Sequence, residues 1–404
     1  MLYRRYQAHA DLGDMVKATA RLTSALLAPF AAMNPRPPLG HVMAAQAMLA
    51  RLGITHDRPS YRIDTVRVGN REVPVTEEVA ARTPFGTLLR FAKDVDVPQP
   101  KVLVVAPLSG HFATLLRNTV HTLLADHDVY ITDWHNARDV PLAEGSFGFD
   151  DYVEHVIRFL ETIGPGAHVL AVCQPCVQVL AATAVMAATD NPAQPRSMTL
   201  MAGPVDTRVN PTAVNRLALS KPMDWFEETL IATVPARHAG AGRRVYPGFV
   251  QLSAFMAMNP ERHAKAHNDL YGHILKGETE KAETIKTFYD EYFAVLDLTA
   301  EFYLETIRIV FQDSLLPKGE LTYRGERVDP SRIRRTALLT VEGERDDICA
   351  LGQTAAAHDL CTGIRPYRKR HHMQAGVGHY GVFSGRRWEG QIYPIVRNMI
   401  LASE

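Results

Sequence analysis

Two cysteines three positions apart, Cys173 and Cys176, stand in the stretch LAVCQPCVQVLAA, residues 170–182. Three chemistries share that spacing: a metal clip, a redox pair, and one reactive thiol beside a bystander. A zinc site needs two further nearby ligands, and the remaining cysteines, Cys349 and Cys361, form no second close pair. A nucleophile on a sharp strand-to-helix turn needs compact residues two before and two after it. Around Cys173 these are Ala171 and Pro175; around Cys176 they are the long Gln174 and Gln178. Cys173 is therefore the expected nucleophile, and Cys176 a residue of the helix core. Pro175 suits the first helical position, and the start of that helix favours a thiolate.

A thiolate needs a base or ion partner, and the base needs an orienter. On such a turn the chain order is nucleophile, acid, histidine. VEGERDDI supplies Asp346 and Asp347 after a strand, and GVGHYG supplies His379 among small residues. Asp346 is preferred by analogy with a recurring G-x-x-D-x-I pattern (Gly343, Asp346, Ile348), with Asp347 as the fallback. The backbone N–H of Gln174, just after the nucleophile, is the first expected oxyanion donor. The loop APLSGHFAT supplies a second, the N–H of Leu108 or Ser109, and Gly110 gives that loop room to bend.

These residues need a scaffold that turns strands into helices. KVLVVAP, DVYITDW, HVLAV and SMTLMAGP are short apolar runs, as expected of strands covered on both faces. Helical patterns alternate with them, including FDDYVEHVIRFLETIG with its apolar face at Val153, Val156, Ile157 and Leu160. The alternation predicts an α/β fold, a mostly parallel sheet flanked by helices. Before it, residues 1–33 and a stretch to about Leu52 read as helices around a linker, NPRPPLG at 34–40. YRIDTVRV (61–68), EVPVTEEVA and FGTLLRFA read as antiparallel strands opening the sheet. Residues 205–330 break the rhythm and predict a helical cap over the core. A strand at TALLTVEG, a helix near 353–361 and a strand near 367–374 close the pattern. The expected division is an N-terminal helical segment (1–55), a core (56–204 and 331–404) and a cap (205–330). In the cap, Trp225, Phe226, Tyr246, Phe249 and Phe255 are candidates to line a groove for an apolar chain or to meet an apolar surface. Arg243 and Arg244 read as an exposed loop pair, with a phosphate contact as the alternative.

The chain has 404 residues, with 44 Lys plus Arg against 44 Asp plus Glu, so nothing favours a nucleic-acid partner. Four cysteines are too sparse for a disulfide framework and fit a reducing compartment. Arg4, Arg5, Asp11 and Asp14 interrupt any signal-type apolar stretch, and no apolar run reaches the roughly 18 residues of a spanning helix. The chain reads as soluble and cytoplasmic, with peripheral attachment to an apolar surface left open. No metal is expected.

Several long stretches resemble the intracellular polyhydroxyalkanoate (polyhydroxybutyrate) depolymerases, α/β-hydrolases with a cysteine nucleophile. They include TDWHNARDVPLAEGSFGFDDYVEHV, VCQPCVQVLAA, GPVDTRVNPTAVN, VEGERDDICALGQTAAAHDLC and GVGHYGVFSGRRW. The resemblance implies Cys173, Asp346 and His379 as a triad, no required cofactor, and cleavage of polyester stored in granules inside the cell. Ala171, Cys173 and Pro175 replace every fixed position of the serine-centred G-x-S-x-G elbow. Thioester chemistry admits coenzyme A as an acyl acceptor beside water, and a homo-oligomer is compatible with the sequence. The rival readings are a polyhydroxyalkanoate synthase-like acyltransferase, whose elbow reads G-x-C-x-G-G, and a non-catalytic granule-binding protein.

Overall fold

The computed structural model describes residues 2–33, 37–51, 53–95, 97–258 and 260–404. Nine strands form one sheet: β1 (Thr65–Val68), β2 (Arg71–Arg82), β3 (Gly86–Lys93), β4 (Lys101–Val105), β5 (Asp128–Trp134), β6 (His168–Val172), β7 (Ser197–Met201), β8 (Ala337–Gly343) and β9 (Lys369–Gln374). Their spatial order is β1-β2-β3-β5-β4-β6-β7-β8-β9. The pairs from β5 to β9 are parallel, while β1–β2, β2–β3 and β3–β5 are antiparallel. This crossed order, with a strand-to-helix elbow after β6, is the α/β-hydrolase arrangement. The expected fold class is borne out.

The central strands are apolar because helices cover both faces. Every residue of β6, β7 and β8 is buried. Helices α1 (Leu2–Met33) and α2 (Pro37–Leu49) precede the sheet. Of the expected linker, residues 34–36 lie outside the described residues, and Pro37–Gly40 already belong to α2. Helix α3 (Arg117–Leu123) follows β4, and α4 (Phe149–Ile163) follows β5. In α4, Val153, Val156, Ile157 and Leu160 are buried as their spacing predicts. The Asp151 carboxylate accepts the Gly148 N–H at 2.7 Å and so caps that helix. Helix α5 (Cys176–Ala188) follows β6.

Between β7 and β8 lie α6 (Ala213–Ser220), α7 (Met223–Leu230), α8 (Gly248–Met258), α9 (Pro260–Lys276), α10 (Thr279–Tyr292) and α11 (Ala300–Thr306). A small antiparallel sheet of Ala232–Thr233, Arg244–Tyr246 and Leu298–Thr299 joins them, which helical periodicity did not reveal. The first turn of α1 is tied to this region. The Tyr3 hydroxyl donates to Asp297 Oδ2 at 2.7 Å, and the Tyr6 ring stacks on Phe249 at 3.8 Å.

Three elements are shorter than the sequence suggests. Only Thr65–Val68 of the 61–68 run is paired in the sheet. The helix near 353–361 shrinks to Ala357–Leu360. There the buried Glu342 carboxylate collects the N–H groups of Gly352, Thr354 and Ala355 at 2.8–3.0 Å, and the chain runs through turns to follow it. The last strand begins at Lys369, two residues beyond the expected 367. Among the described residues, no helix is long and apolar enough to cross a membrane.

Candidate active site

Strand β6 delivers Cys173 one residue past its end, at φ +66°. Left-handed backbone at a non-glycine residue costs about 1–3 kcal/mol and persists only where neighbours fix it. Here they do. The Cys173 N–H donates to the Met201 carbonyl at 2.8 Å, and the Cys173 carbonyl accepts from the Cys176 N–H at 3.2 Å. Pro175 takes the cap position of α5 rather than the first helical position expected for it, which falls to Cys176. The elbow has no glycine, and the compact partner is supplied from outside it. A Cβ built on Gly203, just beyond β7, falls 2.2 Å from both Cys176 Cβ and Sγ and 2.7 Å from the Cys173 carbonyl oxygen.

Cys176 is fully buried, with its thiol directed at the carbonyls of Ala171 (3.6 Å) and Met201 (3.7 Å), and burial pushes that thiol well above its ordinary range. It is a core residue. Cys173 is partly exposed, and its sulfur lies near enough to His379 to act on the charge of the imidazole. The four cysteines are free thiols, and the described residues contain no cluster of three or more metal-ligating side chains.

Strand β8 ends at Gly343, and the turn after it presents Asp346. Asp346 Oδ2 lies 2.8 Å from Nδ1 of His379, while Oδ1 accepts the N–H groups of Ile348 (2.9 Å) and Cys349 (2.8 Å). The two backbone bonds fix the carboxylate and give the G-x-x-D-x-I pattern a physical basis. Asp347 points elsewhere, lining the cavity beside the histidine. His379 opens a short helical turn after Gly378 and is buried between the edges of Tyr380 and Phe383. Burial alone would push its imidazolium below the ordinary range. The Cys173 sulfur and the Asp346 carboxylate outweigh burial and hold the ring well above that range. With Nδ1 occupied by Asp346, Nε2 is the nitrogen left for the sulfur.

The three expected oxyanion donors differ in what they already bind. The Leu108 N–H donates to Oε1 of the buried Gln174 side chain at 3.4 Å. Among the described residues, the backbone N–H groups of Gln174 and Ser109 have no hydrogen-bond partner. Gly110, at φ +98°, lets the loop pass Gln251, whose Cγ would lie 2.8 Å from any added Cβ.

A cavity of about 290 Å³ opens on His379. Phe255, Phe288, Tyr292 and Tyr380 give it aromatic surface, and Arg262, Arg345 and Asp347 give it charge. Of the five aromatic candidates only Phe255 lies there, its ring stacked on His111 at 5.6 Å. The other four do not line this cavity. Phe226 is buried in the cap. Tyr246 stacks on Tyr303 at 3.8 Å, and Phe249 packs on Tyr3 and Tyr6. Trp225 lies edge-on to Phe226 under the Lys221 ammonium, away from the cavity. Arg243 is not an exposed loop residue either. Its buried guanidinium donates to the carbonyls of Val140, Pro141 and Gly145, whereas Arg244 pairs with Glu227 at 2.5 Å. Phe288, Tyr292 and Tyr380 went unassigned, although the first two stand four apart on one helix face and the third follows His379 directly.

The chain has a structural likeness to the monoacylglycerol lipase of Paleococcus ferrophilus, at 12% identity and TM-score 0.46, covering 78% of this chain and 99% of that one. The 2-hydroxy-6-oxo-6-phenylhexa-2,4-dienoate hydrolase of Rhodococcus sp. strain RHA1 gives 12% identity and TM-score 0.42, covering 82% and 99%. At these values the fold assignment rests on strand order, not on the neighbours. No curated protein matches the chain. The family described as PHB de-polymerase C-terminus matches residues 202–404, half of the chain, from the end of β7 through the cap, Asp346 and His379. The chain belongs to this polyhydroxybutyrate depolymerase family.

Proposed function

We propose that the protein hydrolyses ester bonds of a stored poly(3-hydroxyalkanoate) through Cys173, His379 and Asp346, by way of a thioester. The family and the α/β-hydrolase fold support ester hydrolysis as the reaction class. One observation carries the finer reading: the buried Asp346–His379 pair at 2.8 Å, with the partly exposed Cys173 sulfur favouring the charged form of the imidazole.

The Cys173 thiolate attacks the ester carbonyl, and the oxyanion forms against the free N–H groups of Gln174 and Ser109. Each such donor is worth about 3–4 kcal/mol of barrier. The carbon–oxygen bond breaks, and His379 gives its proton to the departing alkoxide. Asp346 holds the imidazole in the required tautomer and stabilises its charged form. The acyl group remains on sulfur. Water then releases a hydroxy acid or oligomer; the thiol of coenzyme A is the second acceptor, exchanging one thioester for another.

The test is amorphous polyhydroxybutyrate offered to wild type and Cys173→Ala, with products resolved by mass in the presence and absence of coenzyme A. Wild type releases hydroxy acids or oligomers, and the variant loses at least about a thousandfold in rate. A variant that still depolymerises would remove Cys173 from the reaction. Acyl-CoA in the products would identify the second acceptor, and an unchanged free-acid yield would eliminate it.

A further inference from the structure

The cavity on His379 carries two cations without ion-pair partners among the described residues, Arg262 at the start of α9 and Arg345 just before the acid. Both are exposed at its rim. The other titratable groups facing the cavity leave a positive balance. His263 is buried, which lowers its affinity for a proton, with Nδ1 held by the Tyr289 hydroxyl at 2.9 Å, and Asp347 is the single carboxylate among the described residues of the lining. Two guanidinium groups over an otherwise aromatic wall form a receptor for a carboxylate or phosphate. The cavity's position indicates which part of a substrate enters it. His379 and its loop line it whereas Cys173, Gln174 and Ser109 do not, so it serves the group that receives the histidine's proton rather than the acyl group on sulfur. In a poly(3-hydroxyalkanoate) the segment leaving through the protonated oxygen is the one ending in the free carboxyl group. For a single departing unit, that carboxylate carbon is three bonds from the leaving oxygen.

We infer that Arg262 and Arg345 bind the free carboxylate end of the hydroxyacyl chain, so that the enzyme cleaves from that end and prefers short oligomeric acids to capped ones. The inference rests on the ester-cleaving reading above. A volume of about 290 Å³ accommodates a short acyl segment and lies below the range of pockets that enclose larger ligands, which favours the oligomer's own carboxylate over a coenzyme A phosphate.

The experiment compares the 3-hydroxybutyrate trimer as free acid with the same trimer as its methyl ester, using wild type, Arg262→Ala, Arg345→Ala and the double variant, each with and without coenzyme A. Wild type should cleave the free acid with a kcat/KM about tenfold or more above the ester. The double variant should lose that preference through a raised KM for the acid, with the ester cleaved within about twofold of wild type. Equal cleavage of acid and ester by wild type, or equal loss on both in the variants, overturns the inference while leaving the cysteine chemistry intact. Variants that keep the acid preference but lose acyl-CoA formation also overturn it, by assigning the arginines to the acceptor's phosphate. A wild type that cleaves neither trimer overturns it, while product release from amorphous polymer decides the ester-cleaving reading separately.

Discussion

Asp346 and Asp347 are chemically identical neighbours, and the hydrogen bonds distinguish them. Asp346 is fixed by two backbone N–H groups and reaches His379, whereas Asp347 lines the cavity. Asp346→Asn should therefore lower kcat by about 10³–10⁴ on a soluble ester, because the amide cannot hold the imidazole in the same tautomer or stabilise its charge. Asp347→Asn should cost less than about tenfold. Reversed effects in steady-state kinetics would reassign the acid. At this scale the order of acid and histidine along the chain is legible from topology alone, and the fold brings Asp346 and His379 into hydrogen-bond contact. The aromatic wall was much less legible. Phe226, Tyr246, Phe249 and Phe255 look alike in a cap rich in helix formers, and which ring faces the cavity depends on how the helices pack. Likewise Arg243 looks like any loop cation until three carbonyls converge on it.

At the scale of the element, the elbow borrows its compactness from the next strand. Gly203 lets the start of α5 lie against the end of β7, and the atoms an added Cβ would strike include the Cys173 carbonyl oxygen. Gly203→Ala should cost about 3 kcal/mol or more in thermal or denaturant unfolding and lower activity by displacing Cys173. A variant with wild-type stability and kinetics would show that the elbow tolerates the shift. Elements whose backbone groups follow a regular ladder, within α4 or between the buried strands, were readable from periodicity. The segment at 353–361 was not, because the carboxylate of Glu342, ten or more positions earlier, takes two of its N–H groups and that of Gly352 just before it. Such a competitor leaves no mark on local propensity.

For the molecule as a whole, Asp297 connects the first helix to the cap. Burial pushes its carboxyl up to about 6, while the bonds from the Tyr3 hydroxyl and the Gly248 N–H oppose that rise. A carboxyl that binds its proton more tightly when folded adds stability that is fully present below about pH 4 and is lost as pH rises through about 6. Tyr3→Phe removes a donor that favours the ionised form. It should lower unfolding free energy by about 1–3 kcal/mol at pH 7.5 and by less at pH 5, measured by denaturant titration at both values. An equal loss at the two values would detach Tyr3 from the titration.

The Tyr3–Asp297 bond joins positions 294 apart. During synthesis the first helix thus leaves the ribosome long before its anchoring carboxylate exists. At about 5–20 residues per second that interval lasts some tens of seconds. Throughout it, Leu12, Met15, Val16, Leu22 and Leu26, still largely exposed in the finished protein, travel on an untethered helix. The nascent chain therefore has an early apolar segment for chaperones to hold, and its final docking is a late, long-range event rather than a local one.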